Sequence, residues 1–293
     1  MKRILGILLA LCLLTMAVPA LSEAVGNAPL TPAEGEALVI DLDGDGTQET
    51  LTWEMTPSEY DDTLTLKVVG ADGATQAYPT DLLWAEAVYV VDIDSDGAQE
   101  ILLTGDVMSD DYYTWCLRWD GAALYEVLFP DTGRSDNSDG YYKYGYGRVD
   151  AIGDNLLTLS GSQDVLGTWY ASRTLSLSPH DRFEFNDAGL WLRNLDGYEG
   201  PDDDEDLWGY AALIVTQSLP YVDEHHPDQT IGTLEPGDKI LVYATDKQTI
   251  AYFSTRDGRD GALNISHNYE QGWGWLVDGI PEDECFKLVP YAD

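Results

Sequence analysis

Apolar and polar side chains alternate in short runs along most of this chain. Over residues 63–69, Leu64, Leu66 and Val68 fall on one face and Thr63, Thr65 and Lys67 on the other, the period of a half-buried strand. Residues 37–40 and 50–55 form two more runs, one entering and one leaving a loop of Asp and Gly, and a turn from Gly70 to Gly73 leaves room for a fourth strand. The succession returns over 87–130, where Trp115, Leu117 and Trp119 oppose Thr114, Cys116 and Arg118. A third stretch, 144–194, has strand-like runs at 156–159, 170–177 and 182–185 but no acidic loop, of which Asp150 and Asp154 are the only remnant. Short runs resume at 211–216, 239–244, 249–253, 272–277 and 286–289. The pattern predicts an all-β chain: about three four-stranded units (36–80, 87–130 and 144–194) in a repeat region over 36–200, then a small barrel over 208–293. The acids of Pro201-Asp-Asp-Asp-Glu-Asp206, without alternation or Gly, predict a linker at 201–207.

The repetition is explicit in one loop. Asp41-Leu-Asp43-Gly-Asp45-Gly-Thr47-Gln-Glu49 recurs 51 positions later as Asp92-Ile-Asp94-Ser-Asp96-Gly-Ala98-Gln-Glu100. The same offset matches Val39 to Val90, Leu51 to Leu102, Thr63 to Thr114, Leu66 to Leu117 and Gly70 to Gly121. A period near 50 residues means one supersecondary unit per repeat. Calcium takes six to eight hard oxygens at about 2.3–2.6 Å, and a tight loop supplies them from alternate positions. Here positions 1, 3 and 5 are Asp, position 6 is a turn-making Gly and position 9 is Glu. The carbonyl of Thr47 or Ala98 would add a backbone ligand. An EF-hand needs a Glu at position 12, where Thr52 and Leu103 stand, so two calcium sites of another kind are expected.

These loops resemble those of FG-GAP and VCBS-type repeats, found in integrin-like propellers and secreted bacterial proteins. The resemblance covers about 36–130 well and the third unit loosely. It implies propeller-like blades with the acidic loop between the first two strands of each. It also implies Asp41, Asp43, Asp45 and Glu49, and Asp92, Asp94, Asp96 and Glu100, as calcium ligands. Three units are fewer than the four to eight of closed propellers, which leaves an incomplete propeller or another sheet arrangement. Further on, Leu234-Glu-Pro-Gly-Asp238 and Gly274-Trp-Leu-Val277 resemble the turn and late strand of bacterial SH3-like domains, which often bind cell-wall peptides or act as spacers. Trp273, Trp275, Tyr243 and Tyr252 are then candidates for an aromatic ligand groove, with a core role for Trp275 and Tyr243 as the competing reading.

Charge narrows the partners. With 53 acidic and 15 basic residues the net charge is −38, which repels nucleic acid and anionic lipid and favours cations. Lys2, Arg3, an apolar run from Ile4 to Val18 and small residues near Ala24 read as a signal peptide over 1–24, followed by a linker over 25–35. The bulky Leu11 before Cys12 argues against a lipid anchor. A secreted or cell-surface bacterial protein without a transmembrane helix in its mature form is expected. Cys116 and Cys285 could pair in an oxidising compartment, but two cysteines do not make a disulfide framework for a chain this large. Adjacent His225 and His226 point apart in an extended loop and lack a third ligand at metal spacing, so zinc is not expected. Nucleophile-elbow, metalloprotease and phosphate-loop motifs are all missing. The balance favours a non-catalytic binding or scaffold protein for cell-wall peptide, glycan or a surface protein. The competing reading is a secreted hydrolase with an acidic site.

Overall fold

The computed structural model describes residues 28–57, 62–80, 82–107, 111–130, 140–186, 189–193, 208, 211–269 and 274–291. The expected leader, the acidic run 201–207 and Trp273 lie outside the described residues. The described chain is almost entirely antiparallel β, and none of its helices is long and apolar enough to cross a membrane.

Sheet 1 is a meander of β1 (Leu38–Ile40), β2 (Glu49–Thr56), β3 (Thr63–Val69) and β4 (Thr75–Pro79). The alternation read from the sequence is realised. Leu51, Trp53, Leu64, Leu66 and Val68 are buried, while Thr50, Thr52, Glu54, Thr65 and Lys67 occupy the more open face.

Sheet 2 is built on β5 (Trp84–Val91), β6 (Glu100–Asp106) and β7 (Tyr112–Trp119). Its fourth position is shared by β8 (Leu124–Glu126), paired to the end of β7, and a later strand paired to its start. Between them β9 (Phe129–Pro130) and β10 (Tyr141–Tyr142) make a two-stranded ribbon, and the later strand is β11 (Tyr144–Tyr146). One face of sheet 2 (Ile101, Leu103, Trp115, Leu117) packs on sheet 1, and the other (Leu102, Cys116) packs on a third sheet. Burial on both faces explains why Ile101-Leu-Leu103 is uniformly apolar where its counterpart Leu51-Thr-Trp53 alternates.

Sheet 3 comprises β12 (Arg148–Gly153), β13 (Leu156–Asp164) and β14 (Thr168–Ser178), with β15 (Arg182–Phe185) on the end of β14 and β16 (Trp191–Arg193) on its start. The third unit thus begins at Arg148, because residues 144–146 belong to sheet 2. Leu157, Leu159, Leu175, Leu177 and Phe183 cover the second face of sheet 2.

The C-terminal region adds β17 (Leu213–Ile214), β18 (Leu219–Val222), β19 (Thr230–Leu234), β20 (Lys239–Thr245), β21 (Ile250–Thr255), β22 (Asp260–His267), β23 (Trp275–Val277) and β24 (Ile280–Pro281), then a single turn of helix, α1 (Glu282–Cys285). The sequence places a boundary before this region, yet the described residues on either side share one sheet and one core. β16 pairs with β20 through Trp191↔Thr245, and Thr168 N donates to Pro290 O at 2.8 Å. Val165, Trp169 and Trp191 lie in the same apolar cluster as Ile240, Phe253 and Trp275. Two large indoles on sheet 3 need cover, and the C-terminal strands supply it.

Two further features depart from the sequence reading. Residues 28–35, read as linker, form a strap: Leu30 pairs with Val90 of β5, and Trp53 Nε1 donates to Pro32 O at 2.9 Å. The constant offset of 51 also fails at the third strand of the unit. Leu51 faces Val68 in sheet 1, whereas its counterpart Leu102 faces Cys116 in sheet 2, an offset of 48 for that strand. Leu66 and Leu117, matched in sequence, therefore come from facing sheets and meet in one core.

Candidate metal centre

Both acidic loops connect the first two strands of their sheets. Position 6 requires a left-handed backbone, which Gly46 and Gly97 adopt with φ of +90° and +97°. The loops touch: a Cβ on Gly44 would come within 3.0 Å of Gly97 O.

In the first loop the structure gathers Asp41, Asp43 and Glu49, whose carboxylate oxygens lie within 4.8 Å of one another. Glu49 is carried inward as the first residue of β2 and is only 3% exposed. The loop backbone orients all three. Asp41 accepts from Gly44 N and Gly46 N, both at 2.8 Å. Asp43 Oδ1 accepts from Asp45 N at 3.2 Å, and Glu49 Oε2 from Leu42 N at 2.9 Å. Asp43 Oδ2 and Glu49 Oε1 receive no hydrogen bond from the described residues, and no Lys, Arg or His among them pairs with this cluster. Burial pushes the Glu49 carboxyl up, the Leu42 N–H opposes the shift, and Asp43, Asp41 and Asp45 push it further.

The second loop gathers Asp92, Asp94 and Glu100 in the same way. Asp92 accepts from Asp96 N and Gly97 N at 3.1 Å, and Glu100 Oε2 from Ile93 N at 2.6 Å. Here, however, a guanidinium lies among the carboxylates. Arg118 Nη2 is 3.1 Å from both oxygens of Asp94 and 3.3 Å from Asp96, and Glu100 Oε1 accepts from Nε. Nη1 reaches across to Asp181, in the turn before β15 of sheet 3, at 2.8 Å. Burial pulls the guanidinium down, but Glu100, Asp94 and Asp96 outweigh it and hold Arg118 firmly protonated. Burial lifts Glu100 to about 7 against the Ile93 N–H and Arg118.

The register difference explains why the loops diverge. One rung beyond Ile101↔Leu117, Glu100 stands across from Arg118; one rung beyond Thr50↔Val69, Glu49 stands across from Gly70, which has no side chain to offer. Gly121, the start of the β7–β8 turn, instead brings backbone close to Asp43, since a Cβ there would meet Asp43 Oδ2 at 3.0 Å.

Of the residues expected from sequence, Asp45 and Asp96 fall outside the close clusters. They cap their own loops, accepting from Thr47 N at 2.6 Å and Ala98 N at 2.9 Å. Sequence reasoning missed Arg118 and Asp181. Arg118 carried a signal, as a charge between Leu117 and Trp119 in a strand buried along most of its length. Asp181 carried none, because its role depends on how sheet 3 packs.

The described aromatic candidates fall into two separate groups. Trp275 is buried and lies against His267, ring centroids 4.1 Å apart, while Tyr243 and Tyr252 contact each other at 6.4 Å and Tyr243 donates to Glu224. No described ring contact joins the two groups. Beside Trp275 lies a groove of about 410 Å³ bordered by Asn268, Glu282, Phe286 and Tyr291. Cys116 and Cys285 are both free thiols and buried. No family model, curated protein or solved structure matches the chain.

Proposed function

We propose that this is a non-catalytic calcium-binding protein of the secreted or cell-surface kind, with propeller-like repeats of the FG-GAP/VCBS type followed by an SH3-like region. One observation carries the calcium reading. The same arrangement of three carboxylates occurs twice, and in one copy a positive group lies among them while in the other no described protein cation does. Like charges at this spacing repel by about 3–4 kcal/mol per pair near a protein surface. The first loop therefore calls for a cation from outside. Its donors are hard oxygens only, the set calcium prefers, and Asp41, Asp43 and Glu49 would hold it, with the Thr47 carbonyl as a further donor. A bound ion there supplies charge compensation and ties loop to strand; nothing in the site calls for a reaction step.

The wall-directed part of the reading rests on the SH3-like sequence pattern and the groove beside Trp275, whose border of Asn268, Glu282, Phe286 and Tyr291 offers amide, carboxylate and aromatic groups suited to a peptide or glycan. The export part rests on residues 1–24. Calorimetric titration of the full chain with calcium tests the first claim, and an enthalpically silent titration with an unchanged melting midpoint in chelator ends it. Pull-down on peptidoglycan together with a glycan array tests the second, with retention on either as the supporting result.

A further inference from the structure

We propose that the second acidic loop is closed to divalent cations and that Arg118 takes the place of the ion there, so that the protein binds one calcium rather than two. The proposal shares the calcium reading of the first loop but stands on its own geometry. Every carboxylate oxygen of the second cluster is engaged by a protein donor. Asp92 receives Asp96 N and Gly97 N, both oxygens of Asp94 face Nη2 of Arg118, and Glu100 receives Ile93 N on one oxygen and Arg118 on the other. In the first cluster, Asp43 Oδ2 and Glu49 Oε1 have no such donor among the described residues.

A calcium ion bridging Asp94 and Glu100 needs their oxygens at about 2.3–2.6 Å. Those oxygens already contact a guanidinium, which does not deprotonate in a protein. The two cations would compete for the same atoms. Arg118 cannot easily withdraw, because its side chain is 8% exposed and Glu100, at 0%, would be left buried without its counter-charge. The same side chain reaches Asp181 on sheet 3. What resembles a metal loop is thus a built-in ion-pair clamp between sheets 2 and 3, while the joint between sheets 1 and 2 keeps its carboxylates for an external cation.

The test is calcium stoichiometry by calorimetry on the full chain. The wild type is expected to bind one equivalent, Asp43→Asn none, and Asp92→Asn still one. Arg118→Met, with folding checked by circular dichroism, is expected to gain an equivalent. Loss of bound calcium in Asp92→Asn overturns the proposal, as does an unchanged count in a folded Arg118→Met. If Arg118→Met does not fold, Asp92→Asn alone decides. If the wild type binds none but Arg118→Met binds one, the clamp stands and the reading of the first loop falls. Silence in both proteins overturns both.

Discussion

The two acidic loops share a nine-residue pattern and nearly the same internal hydrogen bonds, yet they face different neighbours. Glu100 stands across from Arg118 of its own sheet, and Arg118 reaches on to Asp181 of sheet 3, while Glu49 stands across from Gly70 of its own sheet and the backbone at Gly121 of sheet 2 comes close to Asp43. The difference arises from a three-residue shift in how the third strand pairs, not from the loops themselves. A ligand motif therefore sets the donors, and the strand across from it decides whether the protein itself places a positive charge among them.

The contrast is broken most directly at Arg118. In chelator, Arg118→Met leaves Glu100 buried beside Asp94 without a cation and should cost about 3–5 kcal/mol, read by denaturant unfolding. Added calcium should restore part of that loss, whereas a full loss that calcium does not touch would separate the second loop from cation binding altogether. Next in size is calcium itself. A ligand at a hundredfold excess over its Kd adds about 2.7 kcal/mol, or about 5–10 °C in melting midpoint for a chain of this size. Asp43→Asn should abolish the shift, and Asp92→Asn should keep it.

A pH series sharpens the same comparison. The folded-state value of Glu49 lies above its ordinary 4.5, chiefly through burial, so its contribution in chelator is fully present below 4.5 and is lost as pH rises through the raised value. The chelated protein should therefore melt lower as pH climbs from 4.5 towards neutrality. Glu49→Gln, which still accepts from Leu42 N, should flatten that slope. Calcium should flatten it in the wild type, because a bound cation favours the ionised carboxylate. The smallest effect is expected at Asp181→Asn. Its carboxylate is 42% exposed, so the pair with Arg118 is well screened and the loss should stay below about 1 kcal/mol with calcium stoichiometry unchanged.

Much of sheet 1 was legible because its outer face is solvated. Leu64, Leu66 and Val68 against Thr65 and Lys67 gives strand, face and direction of the core together. The acidic loops were legible because their donors lie within nine residues of each other. What could not be read depends on long-range pairing. Matching Lys67 to Arg118 by a constant offset hides the fact that Arg118 stands opposite Glu100 while Lys67 pairs with Glu54 at 3.8 Å. The shared core of sheet 3 and the C-terminal strands was hidden for the same reason. Trp169 and Trp191 look like ordinary strand residues until β16 is seen beside β20. Trp275 shows the limit of aromatic content as a clue, since its indole N–H is turned inward to Asp164 O.

The one-sided chemistry of sheet 1 also sets a timetable for folding. A chain emerging N-terminus first completes β4 at Pro79, with its strands already able to pair. The apolar face carrying Trp53 and Leu66 then stays uncovered until β7 ends at Trp119, some 40 residues later. The strap closes on the same schedule, since Leu30 has no partner until Val90 is out. The N-terminal third of the protein is thus assembled early but sealed late, and the interval between the two is where a holding chaperone or a misdocked second chain would compete with sheet 2.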